Sequence, residues 1–303
     1  MGNRIRAGIL AIFIGYSAAA VHSAEPDAEG WIAFNGQGGA VSFDGSVNGQ
    51  TARIILDSGS NVGAISRAFG ERAGIEGDPR RPMQLSGVFG ETRVYGSRPF
   101  ELLLNDQTLN LADLAVVPRA GFDILLGRWI FEQVVVQIDY PNQRIRFLNR
   151  DAVEFDSNVD VRSTRGGALL IETFVQEKRA WLMLDTGNMG PVFLNERFVR
   201  NHDLFDFEVP MDGLLSSGVI QAGEIRMLQF DKAEIGPYRF DSLLANYALD
   251  ASEGMERLEA KTGTRIRRPR TRSDGLLGFE VLRNFLVTTD FKNRKVHLHL
   301  SQN

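Results

Sequence analysis

Cysteine is absent from this 303-residue chain. That excludes a thiol nucleophile, a disulfide framework, a thiolate-bound metal and a lipid-modified cysteine. Histidine is scarce, with four residues in all. His297 and His299 lie two apart on one face of an expected terminal strand, but no third ligand accompanies them, and metal sites usually need three or four. They and His202 are read as exposed histidines, and neither a metal nor a cofactor is expected. No serine stands in the context of a nucleophile elbow. Basic residues are not in excess either: 34 Lys and Arg face 38 Asp and Glu, a net charge of −4. Phosphate binding needs a basic surface, so nucleic acid is not an expected partner.

Hydrophobic residues make up 43% and charged residues 24%, the profile of a soluble globular protein. The N-terminus reads separately. Arg4 and Arg6 precede an apolar run from Ala7 to about Ala20, and small residues follow at Ala18, Ala19, Ala20, Ser23 and Ala24. A positive start, a short apolar core and a small-residue exit make residues 1–24 a secretory signal, with cleavage between Ala20 and Ala24. The run is shorter than the roughly 20 residues of a membrane span, so none is expected after cleavage. An exported chain without disulfides relies on its cores, and this one is long enough to build them. Export to the periplasm or beyond is the expected location.

The chain repeats itself. Val47-Asn-Gly-Gln-Thr-Ala-Arg-Ile-Ile-Leu-Asp57-Ser-Gly-Ser60 is matched by Val175-Gln-Glu-Lys-Arg-Ala-Trp-Leu-Met-Leu-Asp185-Thr-Gly-Asn188. Each copy has a short polar turn, an apolar strand and then Asp-Ser/Thr-Gly; Asn48-Gly49 is a strong hairpin signal. Further on, Asp123-Ile-Leu-Leu-Gly127 pairs with Asp274-Gly-Leu-Leu-Gly278, and the match runs without a gap through Asp139 and Asp290 to Phe147 and Leu298. Two motifs in the same order define two homologous lobes, 31–150 and 160–303, joined by a polar linker around Arg150 to Thr164. The second lobe is longer between its motifs, mostly from Ala251 to Ser273, and this stretch reads as a surface loop. Its basic run, Arg265 to Arg272, reads as solvated.

Strands are expected at Val41–Val47, Thr51–Leu56, Arg93–Leu104, Asp113–Val117 and Val134–Asp139. Short helices are expected at Arg67–Ala73, at Asn195–His202 with Asn195 as cap, and at Trp129–Gln133. Asp139 and Asp290 are read as turn residues and not as catalytic ones.

Two carboxylates about 3 Å apart cannot both ionise, so one keeps a proton while the other stays negative. The negative member can take a proton from water while the protonated member polarises a carbonyl, which is peptide hydrolysis without metal or covalent intermediate. Asp57 and Asp185 are the candidates, and neither is singled out as the acid because such a pair titrates as one system. Gly59 and Gly187 permit a tight turn beside each carboxylate, and Ser58 and Thr186 supply hydroxyls that could brace one loop to the other. A lone Asp-Ser/Thr-Gly arises by chance about once in five to ten chains of this length. Two copies, each after an apolar strand and each followed by Asp-x-Leu-Leu-Gly, are far more specific.

These residues resemble the aspartic peptidases, specifically the bacterial retropepsin-like and pepsin-like branch. The resemblance rests on Asp57 to Ser60, Asp185 to Asn188, Leu125-Leu126-Gly127 and Leu276-Leu277-Gly278, and covers nearly all of residues 31–300. It implies a mainly β fold with duplicated acid-protease barrel lobes, a few short helices and a cleft between the lobes. It also implies hairpin flaps over the substrate, placed at Gly87, Val88, Phe89 and Gly90 and at Ser217 and Gly218; a plain hairpin turn would explain the same glycines. A peptide or protein is the implied substrate, and two carboxylates in one chain make a monomer sufficient. Asn188 departs from the small or hydroxyl residue usual at its position, which implies different hydrogen bonding around Asp185 from that around Asp57. That departure and the unusual basic loop of the second lobe keep open a second reading, a catalytically silent peptide-binding or regulatory module. A third is action on the chain itself or on a single partner.

Overall fold

Both copies of the repeat begin with the same turn. Asn48 and Gly49 have φ of 50° and 76°, and Val47 pairs with Gln50, which is a two-residue hairpin of the kind whose twist suits antiparallel strands. In the second copy Gln176 and Glu177 occupy the same conformation, with φ of 46° and 64° between the paired Val175 and Lys178. Neither is glycine, and side chains are disfavoured there. Replacing Gln176-Glu177 with Asn-Gly should therefore stabilise the protein by about 0.5–1 kcal/mol. Urea unfolding would register this as a higher midpoint with an unchanged slope.

The computed structural model describes residues 30–36, 39–87, 90–104, 107–118, 120–210, 215–217, 222–248, 259–260 and 272–300. Among the described residues the protein is mainly β, with 52% strand and three short α-helices, and its sheets curl in the manner of an aspartic protease barrel. Those helices are α1 (Arg67–Ala73), α2 (Glu196–Asn201) and α3 (Phe279–Leu282). Ser66 caps α1 by accepting from Phe69 N, and Asn195 caps α2 by accepting from Arg197 N. Residues 129–133 form successive turns where a helix was expected; its counterpart in the second copy is α3.

Each half is built around one arrangement. In the first, Ile124–Gly127 lies between the strand Gln50–Asp57, to which it is parallel, and Ala64–Ser66, to which it is antiparallel. In the second, Gly275–Leu277 lies between Lys178–Leu184 and Val192–Leu194 in the same senses. The register sets Gly127 beside Asp57 and Leu277 beside Leu184, so both Asp loops emerge at one end of buried strands. Ile54, Leu56, Ile124, Leu126, Leu182, Leu184 and Leu277 are all buried in one core. The aspartates heading the Leu-Leu-Gly motifs fix this register. Asp123 Oδ2 accepts from Arg53 N at 2.9 Å, and Asp274 Oδ2 accepts from Trp181 N at 3.0 Å.

A five-stranded antiparallel sheet joins the halves, with Val135–Asp139 paired directly to Phe285–Asp290. Asp139 and Asp290 close the turns that follow these strands. Asp139 Oδ2 accepts from Asn142 Nδ2 at 2.8 Å and Arg144 Nε at 2.9 Å, while Asp290 accepts from Asn293 Nδ2 at 2.7 Å and Arg150 Nε at 2.9 Å. The connecting segment is not a loose linker: Ser157 and Asn158 hydrogen-bond the strand Lys295–Leu300, and Val161–Ser163 is itself a strand.

Three expectations are corrected here. The strand expected over Arg93–Leu104 is two, Gly90–Ser97 and Phe100–Leu104, because Pro99 has no N–H for a ladder. The one expected from Asp113 begins at Ala115, since Asp113 has φ of 61°. The extra stretch of the second half is not all loop: Glu259–Ala260 pairs with Ser86 and Leu85 of the first half. Residues 1–24 and all of the Arg265 to Arg272 run except Arg272 lie outside the described residues.

Candidate active site

Asp57 ends the strand Gln50–Asp57 and Asp185 follows Lys178–Leu184; the two are 1% and 0% exposed. A β-carbon added to Gly59 would fall 2.7 Å from Cγ of Asp185, and one added to Gly187 would fall 2.4 Å from Cγ of Asp57. Each loop thus lays its glycine against the other loop's carboxyl group. Glycine is the one residue that permits this approach.

Hydrogen bonds hold the arrangement. Asp57 Oδ1 accepts from Gly59 N at 2.9 Å and Ser60 N at 3.0 Å, and Asp185 Oδ1 accepts from Gly187 N at 2.9 Å. Between the loops the bonds are reciprocal. Thr186 Oγ1 accepts from Ser58 N at 3.0 Å and donates to Leu56 O at 2.9 Å. Ser58 Oγ accepts from Thr186 N at 3.1 Å and donates to Leu184 O at 2.7 Å. All four bonds are buried. Thr186→Val, close in shape, would leave Ser58 N–H and Leu56 C=O without this partner. It should lower stability by about 3 kcal/mol, readable by chemical denaturation, because buried unsatisfied groups lose about 1–3 kcal/mol each.

Asn188 performs the task of Ser60. Ser60 Oγ donates to Val62 O at 2.8 Å and accepts from Val62 N at 3.4 Å. Asn188 Nδ2 donates to Pro191 O at 3.0 Å, and its Oδ1 accepts from Gly190 N at 3.2 Å. Both side chains brace their own loops, but through different partners: Ser60 closes on Val62 alone, whereas Asn188 spans Gly190 and Pro191. Gly127 and Gly278 leave room for these loops: a β-carbon there would lie 2.5 Å from Val62 O and 2.3 Å from Asn188 Nδ2.

The hairpin Gly77–Gly87 and Gly90–Ser97 rises beside this site, with Gly87 and Gly90 paired at its tip. Its Leu85 and Val94 pack on Ile55, Ala64 and Leu125, the face of the sheet next to the Asp57 loop. Val88 and Phe89 lie outside the described residues. In the second half, Leu215–Ser217 and Ala222–Glu224 form the corresponding hairpin, and Gly218 is likewise outside the described residues.

Two residues at the site were not anticipated. Tyr140 is buried against Phe34 and Phe279, with ring centroids 6.1 and 6.0 Å away. Burial first, and then the charge of Asp185, pushes its phenol well above the usual range. Arg128, 1% exposed, lies behind the Asp57 loop. Comparing the repeats one residue past each Leu-Leu-Gly sets Arg128 against Phe279, a charge against an aromatic ring. That contrast was the available signal. His297 Nδ1 lies 2.8 Å from Asp156 O, and among the described residues no cluster of His, Asp and Glu could hold a metal ion. Nor is any helix among the described residues long and apolar enough to cross a membrane.

A mainly β fold whose two halves each bring one Asp-Ser/Thr-Gly loop to a common buried site defines a class of protein with paired carboxyl groups. Compared with known families, residues 43–129, from within the strand Ser42–Val47 to just past Leu-Leu-Gly, match the aspartyl protease model. That match supports a protease-type activity and a peptide substrate. No curated protein matches the chain.

Proposed function

We propose that the protein is an exported aspartic endopeptidase of the retropepsin-like kind, with lobes 31–150 and 160–303 each contributing one member of an Asp57–Asp185 dyad. The observation that carries this reading is the placement of each loop's glycine against the other loop's carboxyl group, locked by the Ser58–Thr186 bonds. With one proton between the two carboxyls, the ionised member removes a proton from a water as its oxygen attacks the scissile carbonyl carbon. The protonated member donates to the carbonyl oxygen, giving a tetrahedral diol. Collapse breaks the C–N bond as a carboxyl proton passes to the departing amine. No metal or covalent intermediate enters.

Substrate binds as an extended strand, with backbone hydrogen bonds giving affinity and side-chain pockets giving selectivity. The paired strands Gly77–Gly87 with Gly90–Ser97, and Leu215–Ser217 with Ala222–Glu224, serve as the flaps over it. The signal-like segment 1–24 supports a periplasmic or secreted location. Asn188 braces its own loop through Gly190 and Pro191, which supports the catalytic reading over that of a catalytically silent peptide-binding or regulatory module. The test is turnover of an unfolded protein by the mature chain from pH 3 to 8, with Asp57→Asn and Asp185→Asn alongside. Activity is expected toward the acid side, because the shared proton is lost as pH rises. Turnover that persists in either variant would overturn the dyad.

A further inference from the structure

Arg128 is among the largest fully buried side chains of the protein. Among the described residues its ion pair is a long one: Glu132 Oε1 is 3.9 Å from Nε and belongs to a half-exposed side chain. Among the described residues Nε has no hydrogen-bond partner. A buried cation in this state is unfavourable unless what it touches matters. It touches backbone carbonyls. Nη2 donates to Gly166 O at 2.8 Å, in the turn between the strands Val161–Ser163 and Leu169–Val175, and Nη1 reaches Ser58 O at 3.4 Å. The backbone N–H of Arg128 also donates to Ser60 O at 2.7 Å, so the residue grips the Asp57 loop twice.

Ser58 O belongs to the same peptide unit as Gly59 N, and Gly59 N–H donates to Asp57 Oδ1 at 2.9 Å. A cation at the oxygen end of a peptide polarises it and strengthens its N–H as a donor. The second half makes the equivalent bond, Gly187 N to Asp185 Oδ1, also at 2.9 Å. Phe279 stands there in the place of Arg128, packed against Tyr140.

Resting on the dyad reading, we propose that Arg128 is a positioning residue for Asp57, acting through the Ser58–Gly59 peptide, a part that the aromatic ring of Phe279 does not play for the Asp185 loop.

The test uses amide NMR of the mature chain, which does not depend on turnover. In Arg128→Lys, the Gly59 amide proton should move upfield by about 0.3 ppm or more while that of Gly187 stays in place. Arg128→Met should enlarge the shift. The wild type supplies a second measurement that needs no variant: the Gly59 amide should exchange with solvent at least about tenfold more slowly than Gly187. With substrate, Arg128→Lys should lower kcat about tenfold and leave KM near its original value. An unmoved Gly59 amide, equal movement of both amides, or equal exchange in the wild type would make Arg128 a structural cation only. Absence of wild-type turnover would instead count against the peptidase reading and leave the amide result to decide the role of Arg128.

Discussion

Asp57→Asn and Asp185→Asn should each reduce peptide turnover about a thousandfold or more, while the folded protein keeps nearly its original melting temperature. The amide side chain retains an oxygen that can accept from Gly59 N and Ser60 N, or from Gly187 N, at the distances the carboxylates use. It also has the volume of the group it replaces, so the buried loops need not move. What it cannot do is take up a proton from water or carry one to the leaving amine. A dyad acts as a unit, so the double variant should be little worse than either single one. An additive loss would mean that the two residues act separately. Loss of activity together with collapse of the fold would show nothing about chemistry; circular dichroism and a melting curve must therefore accompany each assay.

Much of this site was legible because backbone geometry dictates residue type there. Gly59, Gly187, Gly127 and Gly278 all sit where a β-carbon would meet another group at under 3 Å, so the motifs recur with little freedom. Asp123 and Asp274 recur for a similar reason, since each carboxylate accepts an N–H from the middle of the strand that leads to Asp57 or Asp185. The turns at Asn48-Gly49 and Asn195 were legible from local chemistry alone.

What could not be read depends on partners distant in sequence. The pairing of Val136 with Thr289 and Ile138 with Val287 joins the halves across about 150 positions, and nothing local specifies it. The strand Gly77–Gly87 was missed because Pro79, Arg80, Arg81 and Pro82 break the alternation that marks a strand, and its register shifts between Gly77 and Pro82. Glu259–Ala260 has no strand pattern of its own and is a strand only through the edge offered by Leu85 and Ser86. The burial of Arg128 contradicts its type, and burial follows from the packing of both halves.

Gly187→Ala should abolish turnover in a protein that still folds, and Gly59→Ala should do the same. The added methyl of Gly187→Ala would lie 2.4 Å from Cγ of Asp57 and 2.6 Å from Oδ2, far inside van der Waals contact. Asp57 has little freedom to yield, because Oδ1 is held by two backbone N–H groups and the loop is bonded to Thr186. The strain must therefore separate the loops or rotate a carboxyl out of plane. Overpacking of this kind destabilises by about 1–3 kcal/mol, which the extended core of each half should tolerate. Displacing a reacting group by about 1 Å can reduce the rate a hundredfold, and both carboxyls are displaced together here. Gly121→Ala is the control, since a β-carbon there meets nothing within 4 Å, and it should leave both rate and stability unchanged. Wild-type turnover in Gly187→Ala would mean that the two carboxyl groups do not share one site in solution, and the dyad would fall with it.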